Sequence, residues 1–255
     1  MTKRKILMGS AALIFIIFEA VMFYSIHFAK ASSDYSLHYL SIIAATCFAW
    51  LTLGIELLLS RWENKKISEI LLNKEDGNLI RIAMLFTLVA DYFLVYLTPA
   101  KNLEGVIVFV GTQLFIFLHI FVNDKNKKVR TAQLITRGAV SFVLIIVTGI
   151  VLGRSTDPMA LISVVYYANL CVNAIFAHRI GRGGIILTVG LVLFALCDIN
   201  VGLSALNNIY DGGFPEGSFL YNLLHTDLDL IWIFYIPSQT LIPLTLLAKK
   251  ENRFI

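Results

Sequence analysis

GIILTVGLVLFALCDINVGLSAL, residues 184–206, holds 23 residues with no lysine or arginine and one carboxylate, Asp198. A helix needs about 20 such residues to cross ~30 Å of hydrocarbon. Seven more blocks of this kind lie near residues 6–29, 37–60, 79–98, 105–122, 138–153, 160–178 and 229–248. None alternates polar and apolar residues with period two, so the spans are expected as helices rather than barrel strands. The composition agrees: 58% of the 255 residues are hydrophobic and 15% charged, against roughly 25% charged in a soluble domain. The expected fold is an all-α integral membrane protein of about eight transmembrane helices in a single polytopic domain, 1–255.

The cations test this map. Lys3, Arg4 and Lys5 precede the first span, and Arg61, Lys65, Lys66, Lys74 and Arg81 flank the second connection. Lys125, Lys127, Lys128, Arg130 and Arg137 are assigned to the fourth connection, Arg179 and Arg182 to the sixth, and Lys249, Lys250 and Arg253 to the C-terminus. Lys30, Lys101 and Arg154 remain for the opposite side. Eighteen of 21 basic residues on one side is the positive-inside pattern of an even span count, with both termini cytoplasmic. The pI near 8.9 then reflects contact with anionic lipid headgroups rather than nucleic acid. The opening MTKRK with Ala29-Lys30-Ala31 has the outline of a signal peptide, but its long apolar run contains Glu19 and reads as a retained first helix.

Cys47, Cys171 and Cys197 all fall inside spans, where a disulfide framework is not expected. HExxH, GxSxG and CxxC are absent from the sequence, and neither a metal nor another cofactor is expected. His225-Thr-Asp227-Leu-Asp229 before the last span reads as a solvated loop in preference to a cation site. Gly181-Arg-Gly-Gly184 reads as a turn.

Function is sought where polar groups are costly. A carboxylate near a span centre costs ~2.5 to 3.5 kcal/mol on insertion scales and therefore tends to face a bundle interior. Glu19, Glu56, Asp91 and Asp198 qualify, and His119 is the histidine set well inside a span. Asp91, Asp198 and Glu19 sit slightly outward of the midplane. Glu56 and His119 lie nearer the cytoplasmic ends, where snorkelling would serve them.

Met84-Leu-Phe-Thr-Leu-Val-Ala-Asp91 aligns with Leu191-Val-Leu-Phe-Ala-Leu-Cys-Asp198, and the following helices carry Gln113 and Gln239. Two four-helix halves, 1–130 and 131–248, in parallel orientation account for the match; chance likeness between apolar helices accounts for it equally. Two carboxyl groups facing one another in a low-dielectric chamber do not both ionise readily and make an acid beside a base. Such a pair can protonate a substrate atom while activating water. The bland alternative is a hydrogen-bonded core that ties helices together.

Ala90-Asp91, Gly111 to His119, Tyr166 after Pro158, Cys197-Asp198-Ile-Asn200 and Tyr235 with Gln239-Thr-Leu-Ile together resemble the YhhN-like lysoplasmalogenase membrane family over roughly residues 79–248. Ala90 stands where that family usually has glycine and Cys197 where it has serine; the Lys-Pro pair of an early helix is not found. The resemblance implies a hydrolase that cleaves the vinyl ether of a lysolipid, releasing a fatty aldehyde, with Asp91 and Asp198 catalytic. Gln113, His119, Tyr166, Asn200, Tyr235, Gln239 and Glu19 would line the substrate cavity. The expected partners are a lysophospholipid-like substrate and the membrane, and the expected location is a bacterial plasma membrane. A proton-coupled small-molecule transporter using the same carboxylates is the rival reading, and a membrane scaffold without a small-molecule site is a third.

Overall fold

The computed structural model describes residues 3–28, 35–62, 75–209, 213–226 and 228–247. Eight helices in it are long and apolar enough to cross a membrane. They are α1 (Lys3–Phe28), α2 (Tyr35–Trp62), α3 (Glu75–Asp91), α4 (Asn102–Asn123), α5 (Lys127–Leu152), α6 (Pro158–Ala177), α7 (Arg182–Ile209) and, after a short surface helix α8 (Phe219–Leu224), α9 (Leu230–Leu244). The chain is a multi-pass membrane protein, all-helical among the described residues. The face where α1 begins is called here the near face, and the one where it ends the far face.

Local chemistry sets the ends. Asn126 caps α5 by accepting from Lys128 N and Val129 N at 3.0 and 3.4 Å. Asp157 caps α6 from Ala160 N at 2.7 Å, with Pro158 in the first turn, where its missing N–H costs nothing. Asp229 caps α9 through Ile231 N and Trp232 N. The Gly181-Arg-Gly-Gly184 segment is the turn its sequence suggests: Gly181 has φ 92°, a left-handed conformation that glycine adopts without strain. A Cβ on Gly184 would stand 2.1 Å from Ala177 O, so only glycine lets α7 leave α6 this closely.

With lipid as solvent, apolar burial does not drive helices together; close packing of small residues and interhelical hydrogen bonds do. α3 lies along α4, where Gly105 and Gly111 admit Leu94 and Phe86. α7 lies along α9, with Gly190 against Leu241 and Ile242. α9 also packs on α2 and α1, and α6 joins α4, α5 and α7. α5 stands at the rim, packed chiefly on α6, with Phe142, Ile146 and Ile150 turned outward. Phe109, Ile116, Leu170, Leu191, Phe194 and Ile236 are among the buried residues that fill the centre. The three cysteines are free.

The structure corrects the placement of two cations. Arg137 does not belong to a connection, because α5 starts at Lys127 and ten residues of rise put Arg137 about 15 Å into the helix. Arg81 is buried rather than flanking: it donates to Ala49 O at 3.0 Å, Thr52 Oγ1 at 3.1 Å and Asn78 Oδ1 at 2.9 Å. Glu56 and His119 are likewise buried and do not snorkel. Lys30, Lys65, Lys66, Lys74, Lys249, Lys250, Arg253 and Asp227 lie outside the described residues.

A candidate carboxylate pair

Asp91 closes α3 and is 2% exposed. Directly after it the backbone widens into a π-turn, Tyr92–Tyr96, whose Leu97 N donates to Tyr92 O at 3.0 Å. Wide turns of this kind often mark functional positions. Here the widened turn follows the last buried position of α3 and carries Tyr92 and Tyr96 to the exposed side. Tyr39 of α2 packs on both rings and donates to Leu88 O at 3.3 Å.

Asp198 lies in the outer half of α7 and is half-buried. In the chain 107 positions separate the two aspartates, yet the folded bundle brings both against one aromatic cluster around Phe194. Each accepts a tyrosine hydroxyl at Oδ2: Asp91 from Tyr235 of α9, and Asp198 from Tyr166 of α6 at 2.6 Å. Aromatic rings wall the space between. Phe194 of α7 meets Tyr235, Phe109 and Tyr166 edge-on, at centroid distances of 5.3, 5.6 and 6.5 Å. Trp232 backs Tyr235 at 5.4 Å and carries the buried ring of His38 at 4.1 Å. The Tyr166 and Tyr235 hydroxyls hold both carboxyls in place, leaving Oδ1 of each for a reactant.

Of the remaining sequence candidates, Gln239 lies one turn beyond Tyr235 on the same face of α9. It is fully buried, and neither its Oε1 nor its Nε2 has a hydrogen-bond partner among the described residues. Asn200 donates to its own helix, Nδ2 to Leu196 O at 2.8 Å, while its buried Oδ1 has no partner among the described residues.

Gln113 joins a different group. Asn173 Nδ2 donates to Gln113 Oε1 at 2.9 Å and to its carbonyl at 3.0 Å, and Asn173 Oδ1 accepts from Arg137. Arg137 also donates to Asn169 Oδ1 at 2.8 Å and lies 4.1 Å from the centre of the Phe117 ring. This polar seam, tying α4, α5 and α6, is interhelical bonding of the kind that competes with a substrate role. Glu19 accepts from Ser41 between α1 and α2. His119 lies six residues past Gln113 toward the near face, about 9 Å along the axis.

Sequence reasoning does not single out Tyr39, Asn169, Asn173 or Arg137 as site residues. For Arg137 a signal is available: Asn126 is a capping residue that starts the fifth helix eleven positions earlier. No group of three or more His, Cys, Asp or Glu side chains able to hold a metal occurs among the described residues.

No curated protein and no solved structure matches the chain. A family model does, and its match runs over residues 48–246, from the middle of α2 through the turn that follows α9, taking in both aspartates and both tyrosines and leaving Glu19 outside. By that match over more than half its length, the chain belongs to the YhhN family.

Proposed function

We propose that this chain is a membrane-embedded hydrolase that cleaves the vinyl ether of a lyso ether lipid by acid and base catalysis at Asp91 and Asp198. The observation that carries this reading is the placing of two aspartates from distant helices against one aromatic cluster inside the bundle, each steadied by a tyrosine hydroxyl. A pair of carboxyls in such surroundings shares out its protons, one neutral and one ionised.

The roles follow from access. Asp91, the more deeply buried, holds the proton and delivers it to the alkenyl carbon remote from oxygen. A C–H bond forms, the π pair is consumed and an oxocarbenium ion remains. Asp198, the less buried of the two, takes a proton from a water whose oxygen adds to the cationic carbon. In the hemiacetal so formed, Asp91 recovers the hydroxyl proton while Asp198 returns its own to the ether oxygen. The C–O bond then breaks into a fatty aldehyde and the alcohol of the glycerophospho-head. One water is consumed and both carboxyls are reset. The unpartnered amide of Gln239, beside Tyr235, is a polar group that a bound substrate or water would satisfy.

The Lys and Arg distribution supports the finer topology. By sequence position, removing Arg81 and Arg137 from the eighteen leaves sixteen near-face cations against three on the far face, so we place both termini on the cytoplasmic side of a plasma membrane.

The test is aldehyde release from an alkenyl lysophospholipid by the purified full chain. Asp91→Asn and Asp198→Asn are each expected to lower kcat by about a hundredfold or more, with unchanged elution and melting. Undiminished turnover in either variant sinks the mechanism. A wild type that releases no aldehyde but carries protons with a solute across vesicles replaces it with a carrier.

A further inference from the structure

Two residues of α5 are buried, and both are polar: Gln133 and Arg137. They stand one turn apart on one face of the helix, in its near-face half, while the adjoining Leu134 and Ile135 are turned outward. α4 and α5 share a three-residue turn, yet α4 packs on α3 and α6, and α5 packs chiefly on α6. Side chains bridge the space between them. Arg130 lies over the Phe121 ring at 5.2 Å and Arg137 over the Phe117 ring at 4.1 Å, and Gln133 stands between those two arginines on the same face of α5.

Arg137 keeps its charge at any pH a cell meets, and the partners it has are neutral. One N–H of each Nη goes to an asparagine Oδ1, of Asn169 and of Asn173, and the flat of the guanidinium faces the ring. Its Nε–H is buried with no acceptor among the described residues, and Gln133, fully buried, has a partner there for neither Oε1 nor Nε2. A seam that served only to tie helices would spend these groups, because a buried donor left unmade costs more than a made bond returns. A cation and an amide with donors in hand suit one anionic oxygen group. The approach to them is graded: Lys127 and Lys128 are exposed at the start of α5, Arg130 is half-buried one turn on, and Gln133 and Arg137 follow.

We infer that the space between α4 and α5 is a binding site for the carboxylate of a single-chain lipid, a long-chain fatty acid drawn from the near leaflet. The site stands apart from the two aspartates and does not depend on the hydrolase reading. Its depth selects the carboxylate. Phe117, under the guanidinium, is six residues from the end of α4, about 9 Å along the axis. Lipid phosphates stay in the headgroup layer beside Lys127 and Lys128, and a phosphodiester cannot shed its charge to sink further. A fatty acid can reach that depth as the neutral acid and ionise on meeting the guanidinium, its proton passing to near-face water. Its two oxygens then take Nε–H and the neighbouring Nη–H side by side, with Gln133 Nε2 as a third donor. Arg137 is 9% exposed and Gln133 is fully covered, so the guanidinium meets the ligand first and the amide is reached as the arginine shifts toward the incoming charge. The alkyl chain continues toward the midplane along Leu114 and Ile107, which are exposed on the stripe of α4 that carries Phe117.

The test is binding of radiolabelled oleate to the detergent-purified full chain, read against three other probes. Methyl oleate has the chain without the charge, acetate the charge without the chain, and phosphatidylglycerol a phosphate in place of the carboxylate. Oleate is expected to bind about tenfold more tightly than each of them. Arg137→Gln keeps a donor for the asparagines and is expected to abolish the preference for oleate over methyl oleate. Should that variant fail to fold, Gln133→Leu decides the matter. Replacing an unpartnered buried amide by an apolar group of similar size is expected to hold or raise the melting temperature. The same change is expected to weaken oleate by about three- to tenfold and leave methyl oleate unchanged. Equal affinity for oleate and its methyl ester, or an oleate affinity untouched by Gln133→Leu, overturns the site. Acetate as tight as oleate would make the ligand a soluble anion, and phosphatidylglycerol as tight would make it a phosphate; either overturns the fatty-acid assignment. Aldehyde release from an alkenyl lysolipid bears on the aspartates alone, so the two readings stand or fall separately.

Discussion

Tyr166 and Tyr235 do the same thing for different carboxyls, and this is the residue-level feature on which the chemistry depends. Each ring is nine-tenths buried and each hydroxyl donates to an Oδ2. A hydrogen bond to a carboxylate is worth about 1.5 to 3 kcal/mol, and its geometric effect is to keep the other oxygen pointed at a reactant. Tyr166→Phe and Tyr235→Phe preserve ring packing while removing that donor. Each is therefore expected to lower kcat for aldehyde release by roughly ten- to a hundredfold, with KM and thermal melting little changed. A kcat that stays at wild-type level in both variants would show that the hydroxyls merely fill space. Neither pairing is legible as a pairing in the sequence. Both aspartates stand out because a charge is conspicuous in an apolar run, and both tyrosines through family resemblance, but tyrosines also anchor helix ends at the membrane surface. Only the folded arrangement joins α3 to α9 and α6 to α7.

At the scale of elements, the number and rough extent of the helices are legible because a span must be long, apolar and continuous, and that requirement is written in one dimension. What escapes are features set by a neighbouring helix. The sequence alone assigns Arg137 to a connection because an isolated guanidinium is costly in hydrocarbon. Asn169, Asn173 and the Phe117 ring make its burial in α5 tolerable. The π-turn after Asp91 has no composition of its own by which to recognise it. Glycine contacts test the packing directly. A Cβ at Gly184 would meet backbone at Ala177 O, which cannot swing aside, so Gly184→Ala is expected to open the α6–α7 corner and destabilise the protein by about 1–3 kcal/mol. Gly149, in the interior of α5, has nothing within 4 Å of where its Cβ would stand, so Gly149→Ala is expected to be neutral or stabilising by up to about 1 kcal/mol. Thermal melts of the two variants in detergent check this, and equal losses in both would mean that the corner is looser than its geometry implies.

For the whole molecule, the proposed chemistry depends on which side of the membrane the substrate enters from, and charge decides that. Moving Arg81 and Arg137 into the bundle removes two cations from the near-face tally without changing its sign, since sixteen remain against three by sequence position. In the described near-face turns two cations share a partner: Arg179 bridges to Asp124 at 3.1 Å, and Arg130 donates to Asp124 O at 2.6 Å. Asp124 thereby joins the α4–α5 turn to the end of α6, and a charged turn fixed in this way resists translocation as a unit. The two aspartates lie toward the opposite face, so the substrate of the proposed reaction would enter from that leaflet. If the proposed orientation holds and both termini are cytoplasmic, a green fluorescent protein fused after Ile255 in a bacterial host is expected to fluoresce, and an alkaline phosphatase fused there to stay inactive. The reverse outcome would invert the bundle, put the two aspartates toward the cytoplasmic leaflet and require the substrate of the proposed reaction to be drawn from that side.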